Sequence, residues 1–237
     1  MYFYIVVLLS VLSESTKTNC KGEYVQVDPS NAPCVENLQE VTQINSPQIL
    51  EPICSTMSPK PKGSKRDRNF AGENFLDMPH RYLEPWCRAY NYLFSYIWAN
   101  DKTVQNALHV REGTIKGWER CNQSFSSSYA HDVRTSLDYH RNLTKKNLRA
   151  LVYSGDHDML VPYVGTEEWI TSLNLSIDYT WRPWFVNGQV AGYTKAYTRK
   201  AYSLTYATVK GAGHAATEYN PRECFPMIDR WLSYYYI

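Results

Sequence analysis

The clearest signal for the fold of this chain is the segment Leu148-Arg149-Ala150-Leu151-Val152-Tyr153-Ser154-Gly155-Asp156. It begins as a short, mainly apolar run and ends at a serine, a glycine and an aspartate, which is typical of a buried parallel strand that stops at a functional loop. A second candidate strand covers residues 203–209, where apolar and polar side chains alternate, and it stops at Gly211-Ala212-Gly213-His214. The sequence therefore predicts two strands that each end at a loop with polar side chains.

The segments around these two strands predict an α/β fold. Residues 166–173 follow the first loop and have a helical pattern. Asn187-Gly188 lies between two apolar segments, which is the strongest short signal for a β-hairpin. A final amphipathic helix is predicted from about Pro221 to Trp231. The order of strand, helix, hairpin, strand and helix is typical of an α/β protein.

The first part of the chain is predicted to contain two helical regions separated by a loop. Residues 35–41 have apolar side chains on one face of a helix, and residues 86–121 have an amphipathic, aromatic-rich pattern at helical spacing. We interpret the aromatic side chains as core residues rather than as a cofactor site. Residues 55–80 lack apolar periodicity and contain many polar residues with proline and glycine, so we expect a disordered segment or a surface insertion.

Length and composition indicate a soluble protein with one core. The chain has 237 residues, 43% hydrophobic and 20% charged, and a mean hydropathy of -0.48, which excludes a polytopic membrane protein and a low-hydrophobicity disordered chain. The net charge is +2, but residues 59–68 alone carry five positive charges and one negative, so the remainder sums to −2. We interpret this basic loop as solvated, with a membrane-surface role as the alternative. Nucleic-acid binding therefore has little support.

Two features indicate the secretory pathway. Residues 1–15 combine an apolar run too short to span a bilayer with a small-x-small ending, so we predict a signal peptide, with a buried strand or helix as the alternative. Three N-glycosylation sequons begin at Asn122, Asn142 and Asn174, and such acceptors matter only in the secretory lumen. We therefore expect a secreted or vacuolar protein.

We interpret the six cysteines as disulfide-forming, because an even number in an oxidising compartment allows up to three bridges. Cys20 and Cys34 enclose a turn-rich segment, which makes a local bridge between them the most natural pair. The sequence has no C-x-x-C pair, so neither a zinc ribbon nor a thioredoxin-type site is supported. His157 lies between two aspartates, but no second histidine has ligand spacing to it, and we interpret it as a surface histidine. No metal and no cofactor are expected.

The loops that follow the two strands carry a candidate catalytic pair. In an open α/β sheet, sites form at the carboxyl ends of the strands, so Gly155-Asp156-His157-Asp158 and Gly211-Ala212-Gly213-His214 both lie where chemistry is expected. An aspartate followed later in the chain by a histidine matches the order of the catalytic triad in α/β-hydrolases. In such a triad the carboxylate orients the imidazole, and the imidazole takes the proton of the nucleophile.

From about Cys20 to its end, the sequence resembles the C-terminal half of plant serine carboxypeptidase-like proteins, peptidase family S10, within the branch that includes acyltransferases using glucose esters. Six segments carry this resemblance: Trp98–Asp101, Val104–Leu108, Leu151–Pro162, Trp181–Trp184, Ala191–Tyr193 and Thr208–Ala215. The resemblance implies an α/β-hydrolase fold, truncated at the N-terminus, for residues 16–237, with the basic loop at 55–80 as an insertion.

The resemblance assigns the catalytic aspartate to Asp158 and the catalytic histidine to His214, with Asp156 as a structural residue. The nucleophilic serine does not carry over, because the family places it in a Gly-x-Ser-x-Gly turn. Only two pairs of glycines in this chain are four residues apart, and their central residues are Ile115 and Val190. Because the family's oxyanion hole is absent as well, we expect these 237 residues to be inactive alone.

The resemblance also implies two disulfides, Cys20 with Cys34 and Cys54 with Cys87. Cys121 is expected to pair with a cysteine of the family's N-terminal region, which leaves Cys121 and Cys224 as free thiols in this chain.

Two classes of function are therefore open. The first is a serine carboxypeptidase-like protein, which by resemblance acts on peptides as a carboxypeptidase or transfers acyl groups from acyl-glucose. The second is a non-catalytic secreted glycoprotein or truncated gene product that binds a partner protein through an exposed sheet edge. Neither function involves nucleic acid or a membrane.

Overall fold

The computed structural model describes residues 18–21, 28–54, 87–111, 113, 117–121, 129–130, 132–133 and 135–237. The chain divides into two compact units, one formed by Met1–Leu50 with Val133–Ile237 and the other by Glu51–Asp132. The predicted signal peptide at 1–15, the loop at 55–80 and the sequon at Asn122 lie outside the described residues.

The larger unit is built on a sheet of four strands within the described part of the chain. The strands are β1 (Arg149–Gly155), β2 (Ser176–Val186), β3 (Gln189–Arg199) and β4 (Tyr202–Val209), in the order β1-β4-β3-β2. β1 and β4 are parallel, whereas β4 with β3 and β3 with β2 are antiparallel. Because Gly155 pairs with Val209, β1 and β4 end side by side at the same edge of the sheet.

The predicted strands and hairpin are confirmed. Val186 pairs with Gln189 across a two-residue turn, and both turn residues have positive φ, 49° at Asn187 and 77° at Gly188. This is the type I′ geometry that the Asn-Gly pair favours.

The α-helices of the described residues are α1 (Ala32–Thr42), α2 (Leu93–Asn100), α3 (Lys102–Ala107), α4 (Leu137–Leu143), α5 (Tyr163–Thr171), α6 (Ala216–Tyr219) and α7 (Pro221–Leu232). α1, α5 and α7 correspond to predicted helices. α5 begins three residues earlier than predicted, directly after Pro162, because a proline is tolerated where no intrahelical N–H is needed. It also ends earlier, before the left-handed Asn174.

Side chains of β1 and β4 alternate between two hydrophobic clusters, one on each face of the sheet. The first cluster packs α7 on the sheet and contains Trp184, Ala191, Ala207, Val209, Ala212, Ala216, Cys224, Met227 and Ile237. The second packs α5 on the opposite face and contains Ile170, Leu173, Tyr197, Tyr202, Leu204 and Tyr206. The prediction that β1 is buried is wrong for its apolar side chains, because residues 150–152 are only partly buried and Tyr153 is 38% exposed. β1 lies at an edge of the sheet that the structure describes, so one side of it has no neighbouring strand there.

The C-terminal residue is part of the first cluster. Ile237 is only 7% exposed, although the three tyrosines before it are largely exposed. Two stacked arginines flank this tail: Arg149 lies 3.9 Å from the ring centre of Tyr234, and Arg182 lies 4.9 Å from that of Tyr236. Because Ile237 is the buried residue of this tail, we interpret its side chain as the anchor of the chain end.

In the smaller unit, the prediction of a helical region through residues 86–121 is wrong beyond Ala107. A 3-10 helix (Arg88–Tyr92) leads into α2, and α3 follows after a break at Asp101. The extended Asp101 starts α3, since its carboxylate accepts the backbone N–H of Thr103 at 2.7 Å and of Val104 at 3.1 Å. None of the described residues from 108 to 121 is helical.

The structure contains disulfides between Cys20 and Cys34 and between Cys54 and Cys87. Cys121 is an exposed free thiol and Cys224 a buried one. No helix of the described residues is both long and apolar enough to cross a membrane.

Candidate active site

The parallel pairing of β1 and β4 brings the two predicted loops together. Asp158 lies in the loop after β1 and His214 in the loop after β4, and the two strands end at the same edge. Oδ2 of Asp158 is 3.0 Å from Nδ1 of His214. Two residues separated by 56 positions in the chain thus form a direct hydrogen bond.

The carboxylate of Asp158 is buried and fully engaged. Its side chain is 4% exposed, and its Oδ1 accepts the backbone N–H of Leu160 at 2.8 Å and of Val161 at 3.2 Å. These two bonds fix the plane of the carboxylate and leave Oδ2 directed at the imidazole. The loop backbone therefore orients the group that in turn orients His214.

The imidazole of His214 combines one anchored nitrogen with one available nitrogen. With Asp158 as an acceptor, the neutral ring carries its proton on Nδ1 and keeps the lone pair of Nε2. The side chain is 48% exposed, and Nε2 has no hydrogen-bond partner among the described residues. This arrangement is able to accept a proton from a hydroxyl group that approaches Nε2.

Asp156 and His157, which precede Asp158, form hydrogen bonds to the loop after β4 and none to the imidazole of His214. Oδ1 of Asp156 accepts the backbone N–H of Gly211 at 2.7 Å. The backbone N–H of His157 donates to the carbonyl of Ala212 at 2.9 Å, and its half-buried imidazole lies 3.8 Å from Asp156. In the part of the chain that the structure describes, no three His, Cys, Asp or Glu side chains are grouped to hold a metal ion.

Two glycines allow close approach of the backbone at the site, Gly155 to the loop after β4 and Gly213 to Pro47. A Cβ added to Gly155 would lie 2.2 Å from the carbonyl oxygen of Ala212, and one added to Gly213 would lie 2.2 Å from that of Pro47. Contacts this short are not possible for a side chain, so both positions require glycine.

Residues 46–48, which the sequence did not indicate as functional, form hydrogen bonds to both loops of the site. The carbonyl of Pro47 accepts the backbone N–H of His214 at 2.8 Å, and the carbonyl of Ser46 accepts that of Met159 at 2.9 Å. The side chain of Gln48 donates to the carbonyl of Gly211 at 2.9 Å. These residues lie about a hundred positions or more before the loops they contact, and no local pattern marks them.

Of the predicted glycosylation sites, Asn142 and Asn174 lie on exposed positions in the described structure. Asn142 accepts a hydrogen bond from the Lys145 ammonium at 3.1 Å. Thr144, the hydroxyl residue of the first of these sequons, is buried in the folded chain.

Comparison with known sequences gives the same family as the motifs. The sequence model of the serine carboxypeptidase family matches residues 2–234. Serine carboxypeptidase-like 12 from Arabidopsis thaliana is 41% identical over 94% of this chain and 45% of its own length. Serine carboxypeptidase-like 17 from the same plant is 42% identical over 93% of this chain and 44% of its own length. The chain thus spans less than half the length of these relatives.

The fold agrees with that of a solved carboxypeptidase. The crystal structure of Kex1Δp, a prohormone-processing carboxypeptidase from Saccharomyces cerevisiae, matches 95% of this chain and 44% of its own chain, with a TM-score of 0.56 and 15% identity. The likeness shows an α/β-hydrolase type of fold. Since the family model covers nearly the whole sequence and relatives are about two-fifths identical across it, the chain belongs to the serine carboxypeptidase family.

Proposed function

We propose that this chain carries the aspartate and the histidine of a serine carboxypeptidase-type catalytic triad. Asp158 is the orienting carboxylate and His214 is the general base. The observation that supports this assignment is the 3.0 Å bond between Asp158 Oδ2 and His214 Nδ1, with Nε2 left unpartnered among the described residues. Family membership adds to it, because both residues lie in segments that resemble the family.

The reaction requires a serine hydroxyl at Nε2. In the full mechanism His214 would take the proton of that hydroxyl as the oxygen attacks a carbonyl carbon, and would later return it to the leaving group. The chain has no Gly-x-Ser-x-Gly turn. A triad that lacks a member retains only about 10³–10⁴ over the uncatalysed rate, and this remainder comes from the oxyanion hole and substrate binding. These 237 residues by themselves are therefore proposed to be inactive.

The proposed substrate class is that of the family, and no individual substrate is proposed. Peptides cleaved at their C-terminus and acyl groups carried by glucose esters are the two alternatives. The protein is proposed to be secreted or vacuolar and N-glycosylated, which agrees with its two disulfides.

A second candidate function is that of a non-catalytic glycoprotein that binds a partner along β1. Within the described residues, β1 pairs only with β4, so its other edge presents unpaired backbone groups. Unpaired N–H and C=O groups along a strand edge are a template for a further strand, which favours a protein strand as the binding element.

Labelling with a fluorophosphonate tests the first proposal. We expect no serine of the purified chain to be modified, while a full-length serine carboxypeptidase in the same buffer is labelled stoichiometrically. Labelling of one serine in the chain, lost in His214→Ala, would refute the proposed inactivity.

A mixing experiment separates the two candidate functions. The chain is mixed with the part of serine carboxypeptidase-like 17 that it does not match. Serine labelling that appears only in the mixture and disappears with His214→Ala supports the triad assignment. Binding without labelling supports the non-catalytic candidate instead.

A further inference from the structure

The loop that carries His214 is held by one buried polar side chain from a distant part of the chain. Gln48 is 4% exposed. It ends a short turn in which its backbone N–H donates to the carbonyl of Asn45 at 2.9 Å. A buried amide side chain is stable only when its donors and acceptors are used. Its partners therefore show what it fixes.

Both ends of the Gln48 amide are engaged. Nε2 donates to the carbonyl of Gly211 at 2.9 Å, and Oε1 accepts the backbone N–H of Leu50 at 3.2 Å. The first bond spans 163 positions of the chain and reaches the loop three residues before His214. The second bond is local and holds the Gln48 side chain in its own turn.

A neighbouring backbone bond restrains the same loop at its other end. The carbonyl of Pro47 accepts the N–H of His214 at 2.8 Å. The segment of residues 47–48 thus holds the Gly211–His214 loop at its first and last residue. These two bonds restrain the backbone of the loop and so determine where the Cβ of His214 lies relative to Asp158.

We infer that Gln48 is a positioning residue for the catalytic pair, which holds the His214 imidazole in hydrogen-bond contact with Asp158. The inference rests on the proposed function of that pair. Gln48 touches neither the reacting nitrogen nor the carboxylate, and it acts through the backbone of residues 211–214.

The test measures the imidazole directly, because the chain alone is not expected to be active. The ¹⁵N shifts of His214, recorded by NMR at a pH where the ring is neutral, report the fraction of molecules with the proton on Nδ1. Gln48→Met keeps the length of the side chain and removes both hydrogen bonds. We expect it to lower the Nδ1–H fraction at least twofold.

Two further variants separate positioning from general destabilisation. Ile170→Val removes a buried methylene from the cluster on the opposite face and is expected to leave the Nδ1–H fraction unchanged. Gln48→Glu keeps an oxygen for Leu50 N–H but has no donor for Gly211 when ionised. It is expected to lower the fraction as Met does, which keeps the test open if the Met variant does not fold.

Asp158→Asn makes the two possible failures distinguishable. If Asp158→Asn changes the tautomer and the folded Gln48 variants do not, the inference about Gln48 is wrong and the catalytic pair stands. If Asp158→Asn also leaves the tautomer unchanged, Asp158 does not orient His214 and the proposed function itself fails.

Discussion

Asp158 and His214 share one hydrogen bond but have opposite exposures: the carboxylate side chain is 4% exposed and the imidazole 48%. The buried partner is fixed by the backbone N–H groups of Leu160 and Val161. The exposed partner keeps Nε2 accessible. The proposed roles of Asp158 as the orienting carboxylate and His214 as the general base require a fixed carboxylate beside an accessible imidazole nitrogen.

Replacing Asp158 separates its structural bonds from its charge. Asp158→Ala leaves two loop N–H groups without an acceptor and is expected to lower the free energy of unfolding by about 1–3 kcal/mol. Asp158→Asn retains an oxygen for them and should cost clearly less. Urea unfolding measures both, with Asp138→Asn, which breaks an exposed ion pair with Arg141, as a control expected within about 0.5 kcal/mol. Equal losses in the Ala and Asn variants would contradict this account.

Gly213→Ala is expected to destabilise the larger unit. The new Cβ would lie 2.2 Å from the carbonyl oxygen of Pro47, so backbone must shift, at a cost of about 1–3 kcal/mol. Gly117→Ala is the control, because the new Cβ would lie 4.0 Å from its nearest neighbour, the side-chain oxygen Oδ1 of Asn100. Thermal unfolding gives the comparison, and an unchanged transition in Gly213→Ala would mean that the loops are not packed as described.

Stability is expected to fall at alkaline pH. Burial raises the pKa of the Cys224 thiol to about 11, and burial also raises the pKa of Tyr206. In the unfolded chain a cysteine thiol loses its proton at about pH 8.5. Above that pH the unfolded state binds fewer protons than the folded state, so the free energy of unfolding decreases as pH rises toward 11. Cys224→Ala should show a shallower decrease, and an identical pH profile would count against the burial of this thiol.

The C-terminal residue is expected to act as an anchor. Ile237→Ser removes a buried apolar side chain and should cost about 1.5–3 kcal/mol of unfolding free energy. Tyr235→Ser, at an exposed position of the same tail, should change it by less than about 0.5 kcal/mol. Chemical unfolding measures the free energy of unfolding of both variants. Similar decreases in the two would show that Ile237 is not the anchor.

Asn142 and Asn174 are expected to carry N-glycans when the chain is made in a secretory host. Both asparagines are exposed. Digestion with an N-glycosidase should lower the mass, and Asn142→Gln and Asn174→Gln should each remove one glycan. A mass that digestion leaves unchanged would overturn this prediction.

Much of the sheet could be predicted because its signals are local. The apolar run before Gly155 and the Asn187-Gly188 turn each determine their structure within a few residues. The break at Asp101 also has a local signal, because this aspartate caps the next helix. The apolar periodicity continues across the break, so the pattern predicted one continuous helical region. The support of the site by Pro47 and Gln48 has no such signal, because a contact over more than 160 positions leaves no trace in local pattern.

The strands, the loops at their ends and, through the motifs, the family could be predicted from the amino-acid sequence alone. It also placed Asp158 and His214 in those loops, since a strand that ends at polar residues is readable from its pattern. The 3.0 Å contact between the two side chains could not be predicted in this way and is a result of the three-dimensional fold. That distance depends on the parallel pairing of β1 with β4, on the absence of a Cβ at Gly213 and on a segment near residue 48. Such relations arise from packing between distant parts of the chain, which no local sequence pattern encodes.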